Sequence, residues 1–240
     1  MIHLRIFLFL CFYMVAQACF GTTLHFVSIE NLAEQKIGKI VLSHIYRKLG
    51  IEVTITPLPG QRAQRQAATG KDDGDIMRIY AYGKDNPNVI RIPTPYFQLE
   101  TMAFTKADSG IQINSKADLL NYAVAKVRGV KHTDNLTASL NNVTDVNNTQ
   151  TLIRLVNEGL VDVALTNTID GLLAIHHLNL DTVVVPGPQP LATFDLYHYL
   201  HQDHRDLVEK VDAVIREMKA SGELERVIQH ATLSVVKGYQ

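Results

Sequence analysis

Twice along this chain, short β-branched runs alternate with single amphipathic helices, and that alternation restricts the fold more than any other feature. Leu24-His-Phe-Val-Ser-Ile29 reads as a strand. Ile37, Ile40, Val41, His44 and Ile45 then fall at i, i+3, i+4, i+7 and i+8, with Leu49 continuing the stripe of an amphipathic helix that Gly50 stops. Ile51-Glu-Val-Thr-Ile-Thr56 is a second strand, Pro57 to Gly60 a turn, and Gln61 to Thr69 a short helix ended by Gly70. Asp75-Ile-Met-Arg-Ile-Tyr80 completes a βαβαβ run. Strands joined by single helices run parallel, because parallel neighbours need a crossover connection.

The same grammar returns further on. Ser115-Lys-Ala-Asp118 has the cap hydroxyl and the acid three residues later that open a helix. Tyr122 to Arg128 reads as a strand, with Gly129 turning the chain into a helix near Thr133 to Leu140. Val143 to Val146 is a short strand, and Thr149 is expected to cap a helix from Gln150 to Glu158. Leu160 to Leu165, a helix from Ile169 to His177, and a strand Thr182 to Val185 close the block. Two α/β blocks of similar size predict two lobes, not one sheet. The tail, a strand Phe194 to Leu200 and helices Arg205 to Ala220 and Glu223 to His230, fits neither block and is expected to pack back on the first.

The N-terminus addresses the compartment. Arg5 gives a charge, Ile6 to Ala16 an apolar run, and Ala16-Gln17-Ala18 the small residues of a cleavage site, so residues 1–18 read as a signal peptide. That run is too short to span a bilayer, which needs about 20 apolar residues. Cys11 leaves with the leader, and Cys19 would be the first mature residue, so no intramolecular disulfide is expected. Lipid anchoring through Cys19 is the lesser reading, because no large aliphatic residue stands three positions before it. Losing Arg5 leaves 22 basic against 24 acidic residues. No basic cluster marks a nucleic-acid partner.

Five stretches carry a resemblance to a known family. They are Gly38 to Val53, Ala67 to Asp75 with its Gly-Lys-Asp-Asp-Gly-Asp turn, Ile92-Pro-Thr-Pro-Tyr-Phe97, Val156-Asn-Glu-Gly-Leu-Val-Asp-Val-Ala-Leu165, and Ile215 to Val227. In this order they resemble the family 3 extracellular solute-binding proteins, which deliver polar amino acids to ABC transporters. The resemblance implies an α/β type II periplasmic-binding-protein fold, two lobes joined by two hinge strands. Lobe one would comprise residues 20–103 plus 193–240, and lobe two residues 104–192. Hinges would lie near Ala103-Phe104-Thr105 and Ala192-Thr193-Phe194, and ligand would bind at the strand carboxyl ends facing the cleft.

An amino-acid site needs a guanidinium for the carboxylate, an acid for the ammonium, and an aromatic wall. The chain departs from the family at both charged anchors: the usual arginine falls near Asn86, and the usual acid on Asn167. Other residues are candidates to take over. Arg78, late in the third strand, either meets ligand or pairs with Asp75. Arg62 opposes the dipole of its own helix and so is either held by another group or solvated. Arg128 stands at a strand end, where the second lobe would offer a cation and backbone N–H groups. Tyr80 and Tyr96 are candidate walls or core tyrosines. Thr166, Asn167 and Asp170 lie beyond the Leu160 to Leu165 strand, and Asp170 has a second reading as a helix cap. His198, His201 and His204 are spaced by three but run from strand to turn, so no metal site is expected. Asn135-Leu-Thr, Asn142-Val-Thr and Asn147-Asn-Thr match the glycosylation pattern by chance.

These readings predict a monomeric periplasmic protein that captures a small polar ligand, an amino acid or related carboxylate, without a cofactor. It would serve an ABC transporter permease or a membrane sensor. No Ser-His-Asp order, Cys-His pair or H-E-x-x-H spacing supports catalysis. A lyase-like enzyme on the same fold and a ligand-less signalling module are the alternatives.

Overall fold

A computed structural model describes residues 23–238, so the leader and Cys19 lie outside the described residues. Strand β1 (Leu24–Ile29) pairs in parallel with β2 (Val53–Leu58) and β3 (Gly74–Ile79). Helices α1 (Ala33–Lys48) and α2 (Gly60–Ala68) are the crossovers that parallel pairing demands. Ile37, Val41, Leu42, Ile45 and Tyr46 of α1 are fully buried, whereas Ile40, on the expected stripe, is 38% exposed. A four-residue helix, α3 (Tyr82–Asp85), and β4 (Val89–Arg91) follow. Both are too short to show a period.

The second block holds β6 (Val124–Val127), β7 (Val143–Val146) and β8 (Val163–Asn167), with β6 parallel to both neighbours. Its helices are α4 (Lys131–Thr137), α5 (Thr149–Asn157) and α6 (Thr168–His177). The helix starts differ from expectation in their caps. The Asn148 side chain accepts from the Thr151 N–H at 2.8 Å, so Asn148 caps α5 and Thr149 is its first helical residue. Asn167 likewise caps α6 by accepting from the Asp170 N–H at 2.9 Å, which leaves Asp170 for another task. The capping box at Ser115 and Asp118 forms as read, on a short 3₁₀ helix.

Two long strands join the blocks. Strand β5 (Phe97–Lys106) and strand β10 (Ala192–His201) pair antiparallel, Ala192 opposite Thr101 and Leu196 opposite Phe97. Beyond that overlap β10 continues against β3, and β5 continues against β8 and β9 (Val184–Pro186). Hydrogen bonding is therefore continuous in the order β2-β1-β3-β10-β5-β8-β6-β7, where two separate sheets were expected. The apolar interiors are distinct but touch, with Ile29 and Leu32 of the first block packed into the second core and Ile169 and Leu173 of α6 against the first. One gathers Phe26, Ile37, Ile45 and Ile76; another gathers Phe104, Leu152, Ile153 and Val156. The tail folds onto the first: α7 (Val208–Ala220) and α8 (Glu223–Lys237) add Val211, Ile215, Met218, Leu224 and Ala231 to its core. Helix α8 runs past His230, and a 3₁₀ turn (Gln202–Leu207) kinked at His204 precedes α7.

Gly171 shows how closely α6 sits on the sheet. A Cβ there would stand 2.1 Å from the Phe104 ring, which is itself fully buried. Gly171→Ala is expected to cost about 1–3 kcal/mol, the usual penalty of overpacking, and to lower the urea midpoint; an unchanged midpoint would mean the ring has room to move.

Candidate functional site

The carboxyl ends of β1 and β2 face those of β6 and β7, and two adjoining cavities lie between them. Open α/β sheets hold ligands at this edge, where helix N-termini and loops converge. The larger cavity, about 380 Å³, is walled by Glu30 and Asn31 after β1, Gly60 and Gln61 at the start of α2, Arg128 after β6, and Asn147 and Asn148 after β7. The smaller, about 260 Å³, shares Asn31 and Asn148 and adds Lys36, Thr149, Gln150 and Asp170. The smaller is mainly polar, the larger is mixed, with Ile29, Pro59 and Val127 on its walls, and both take residues from each block.

The blocks touch around these cavities. Gly60 opens α2 so near the other block that a Cβ would stand 2.6 Å from the Gly129 carbonyl oxygen. Gly129 has φ 76°, a left-handed turn that side chains resist, and this turn redirects the chain from β6 toward α4. At the rim Lys131 Nζ meets Asp85 at 2.5 Å. Deeper, Asp170 Oδ1 accepts from the Ala33 N–H at 2.5 Å. Asn167 Nδ2 donates to Glu34 Oε2 at 2.6 Å and also to Asp170 Oδ2.

This buried junction has an electrostatic consequence. Desolvation, then the neighbouring Asp170 charge, pushes the Glu34 carboxyl well above its ordinary range, and burial raises Asp170 too. Lys36 offsets part of the effect on Asp170. Two carboxyls this close in a dry site favour holding a proton between them.

The residues singled out in the sequence separate into two groups. Arg128 is exposed and lines the larger cavity, Asp170 lines the smaller, and Asn167 is buried between the blocks. Thr166 is buried one residue earlier in β8, opposite Met102. Arg78 lies elsewhere. Its guanidinium is buried, donates to Asp75 at 2.8 Å and to the Gly60 carbonyl at 3.3 Å, and stacks on the Tyr82 ring, so it holds the start of α2 from behind. Tyr96 is a core residue whose hydroxyl donates to the Ile76 carbonyl at 2.7 Å. Tyr80 is 54% exposed, with the Arg91 guanidinium 4.1 Å from its ring centre. Arg62 is exposed on α2. Asn86 is buried and donates to the Tyr82 carbonyl at 2.8 Å.

The three spaced histidines do not converge. His198 is in the core between Tyr46 and the Asp75 carbonyl, with its pKa pushed down to about 3 by burial, while His201 and His204 pair with Asp203 and Asp73. Among the described residues no cluster of His, Cys, Asp and Glu suits a metal ion. Sequence reasoning missed Asn31, Glu34, Lys36, Gln61, Asn147, Asn148 and Gln150. The run Asn147-Asn-Thr-Gln150, between a strand end and a helix start, carried the signal: polar residues placed there face a cleft.

This is the fold and site edge of a two-lobed α/β solute receptor. The sequence matches the profile of the bacterial extracellular solute-binding proteins, family 3, over residues 40–232, and the chain belongs to that family. A protein of Shewanella oneidensis described as uncharacterized is 29% identical over 206 residues, covering 83% of this chain and 77% of the relative. The amino acid ABC transporter substrate-binding protein AbpA of Streptococcus pneumoniae, bound to L-arginine, superimposes with a TM-score of 0.72 at 17% identity, covering 89% of this chain and 96% of AbpA. A histidine kinase sensor domain with similarity to periplasmic binding proteins gives a TM-score of 0.72 at 16% identity, covering 86% of this chain and 94% of that domain. Both structures are similar in fold to a type II periplasmic binding protein, as this chain is. Among the described residues no helix is long and apolar enough to cross a membrane.

Two outcomes are expected from the buried charges. Arg78→Met leaves Asp75 without its cation and is expected to cost about 3–5 kcal/mol in denaturant melts, whereas the double variant with Asp75→Asn recovers much of that; a mild single-variant effect would show the pair to be dispensable. For Glu34 the folded pKa lies above the unfolded one, so its contribution to stability is complete below the ordinary value of 4.5 and is lost as pH rises from there through the raised folded pKa. Glu34→Gln, permanently neutral, is expected to gain in Tm relative to the parent on going from about pH 5 to about pH 8; a constant difference would place the proton elsewhere.

Proposed function

We propose that this protein is a periplasmic solute receptor that captures a small polar solute bearing an anionic group between its two lobes, without chemistry on it. One observation carries the reading: two adjoining cavities sit at the strand carboxyl ends, each walled from both blocks, with the exposed Arg128 on one wall. The lobes of this reading are residues 20–103 plus 193–240 and residues 104–192, turning about Ala103–Thr105 and Ala192–Phe194. These segments lie in or beside β5 and β10, the two strands that run from one block to the other. The leader-like residues 1–18 support export to the periplasm, and the extracellular description of the family agrees.

Ligand chemistry follows from where charge is left over. Asn86 and Asn167 stand at the positions where the family resemblance implies an arginine and an acid, and both amides bind protein atoms. Arg78 is committed to Asp75. Arg128, beside the amide-rich wall of Asn31, Asn147 and Asn148, is the group placed to receive a carboxylate or a similar anion. A partner in the membrane, either a permease or a sensor, would read the closed form. AbpA is named for the first use and the kinase domain for the second.

The test is a thermal-shift and calorimetric panel of amino acids, dicarboxylates, phosphorylated and uncharged solutes. Anionic solutes are expected to raise Tm, and Arg128→Gln is expected to weaken them by about tenfold or more, the scale of one charge-assisted hydrogen bond. A full panel without a shift, or binding untouched by Arg128→Gln, would sink this reading. Recovery of a chemically altered solute would turn it toward an enzyme.

A further inference from the structure

We propose that Glu34 and Asp170 form a proton-operated latch between the lobes: a hydrogen held between the two carboxyls keeps the blocks together, and its loss as pH rises lets them part. Resting on the cleft reading above, this latch sets the balance between the closed and the open form.

Glu34 lies in the first turn of α1, in one block, and Asp170 in the first turn of α6, in the other. Asp170 Oδ1 accepts from the Ala33 N–H at 2.5 Å. The Asn167 amide nitrogen donates to Glu34 Oε2 at 2.6 Å and also to Asp170 Oδ2, so both acids lie against one nitrogen. The two acids share a side-chain hydrogen bond as well. Ionised carboxylates bring acceptors only, so that bond exists only while one acid keeps its proton. The other contacts decide which one. Asp170 has the Ala33 N–H, the Asn167 amide and the nearby Lys36 charge to hold it ionised, so the hydrogen belongs to Glu34.

The seam around the pair is dry. Both carboxyls are buried. Leu32, next to Ala33, packs into the second core, and Ile169, next to Asp170, packs against the first. Ionised together, the acids would face each other with little water to spread the charge. Other charged groups face the pair from several sides. Lys36 of α1 acts on Asp170, and Arg78 of β3 feels the Glu34 charge from behind. Glu100 of β5 stands across a cavity of about 190 Å³ that Glu34 and Asn167 also line. From α5 come Asn148, Thr149 and Gln150, on the wall that Asp170 shares. Burial, and after it the Asp170 charge, settles the balance and holds the proton on Glu34. The cavities on either side, one touching Glu34 and the other Asp170, give that proton a way to solvent.

Parting the lobes would let water reach both acids, and Glu34 would return toward its ordinary value of 4.5. The closed form therefore binds a proton that the open form releases, from that value up to the raised pKa of the junction. Linkage then weakens closure by up to about tenfold per pH unit across this interval and leaves it level beyond. A solute is enclosed by the closed form, so capture inherits the same dependence and is tighter in acid.

The experiment reads the junction and the lobes together, on purified protein without solute. Exchange of the Ala33 N–H, followed by NMR and corrected for base catalysis, reports how often its bond to Asp170 opens, and small-angle X-ray scattering reports the radius of gyration. In the parent, protection at Ala33 is expected to fall by about tenfold or more between about pH 5 and about pH 7, while the radius grows. Glu34→Gln supplies a hydrogen that base does not remove, so its protection is expected to stay within about twofold and its radius constant. Asp170→Asn removes the charge facing Glu34, and its fall is expected to be smaller than the parent's, since burial alone then holds the proton. A parent whose protection does not fall, or either variant falling as the parent does, would overturn the latch. Protection lost at a constant radius would overturn it too, by showing a helix end that frays while the lobes stay together. The cleft reading survives any of these results, because it stands or falls on the solute panel and on Arg128→Gln.

Discussion

The antiparallel overlap of β5 and β10 is the constraint on which the rest of this structure depends. Five residue pairs, from Ala192–Thr101 to Leu196–Phe97, join two blocks that each have a core of their own. Each strand is ten residues long because it does two jobs in series: one stretch pairs with the other crossing strand, and the next builds its own block's sheet. A ladder this short leaves the remaining contact between blocks to the edge where the parallel strands end. There the chain sets two glycines, an ion pair and a group of buried polar side chains beside a smaller apolar contact, with Ile29 and Leu32 packed into the second core and Ile169 and Leu173 against the first. Polar groups, which water can satisfy as the partner block does, contribute less net attraction between the blocks than the same area of apolar surface would.

Much of the architecture was legible because period and punctuation agree. The strands β1, β3 and β7 fall within a residue of their expected places, while β2 begins two residues late and takes in Pro57 and Leu58, expected as a turn; Gly50, Gly70, Gly129 and Gly159 all have positive φ at the turns where the sequence placed them. The continuous sheet was not legible, because pairing between β5 and β10 joins residues about ninety apart and leaves no local pattern. The rotation of α1 was missed for a similar reason. Ile40 fits the stripe by spacing, but it borders a groove beside α8 and stays part-exposed, while Tyr46 is covered by the sheet, against Phe26 and the distant His198.

The site was half legible, and the division follows charge. Arg128 could be placed because a cation at a strand end, before a glycine turn, has few structural uses. Arg78 looked equally strong, yet a cation in an apolar strand is satisfied as well by a carboxylate three residues away, and Asp75 supplies it at 2.7 Å. Sequence shows that such a residue needs a partner and is silent on which one it finds. The amides were harder still. Asn and Gln are common in loops, so Asn31, Gln61 and Asn148 gain meaning only once the two blocks bring them around one space.

Asn167 shows what an amide does at a position where the family resemblance implies an acid. An aspartate there would be a third carboxylate beside Glu34 and Asp170, in a place with little water to spread the charge. It could still accept from the Asp170 N–H and cap α6, but it would have no hydrogen to give. The amide does both: its oxygen takes the Asp170 N–H at 2.9 Å while its nitrogen donates to carboxyls from each block. The asparagine keeps the helix capped and joins two acids instead of repelling them. Neutral at that point, Asn167 links Glu34 of one block to Asp170 of the other without adding a charge to the junction.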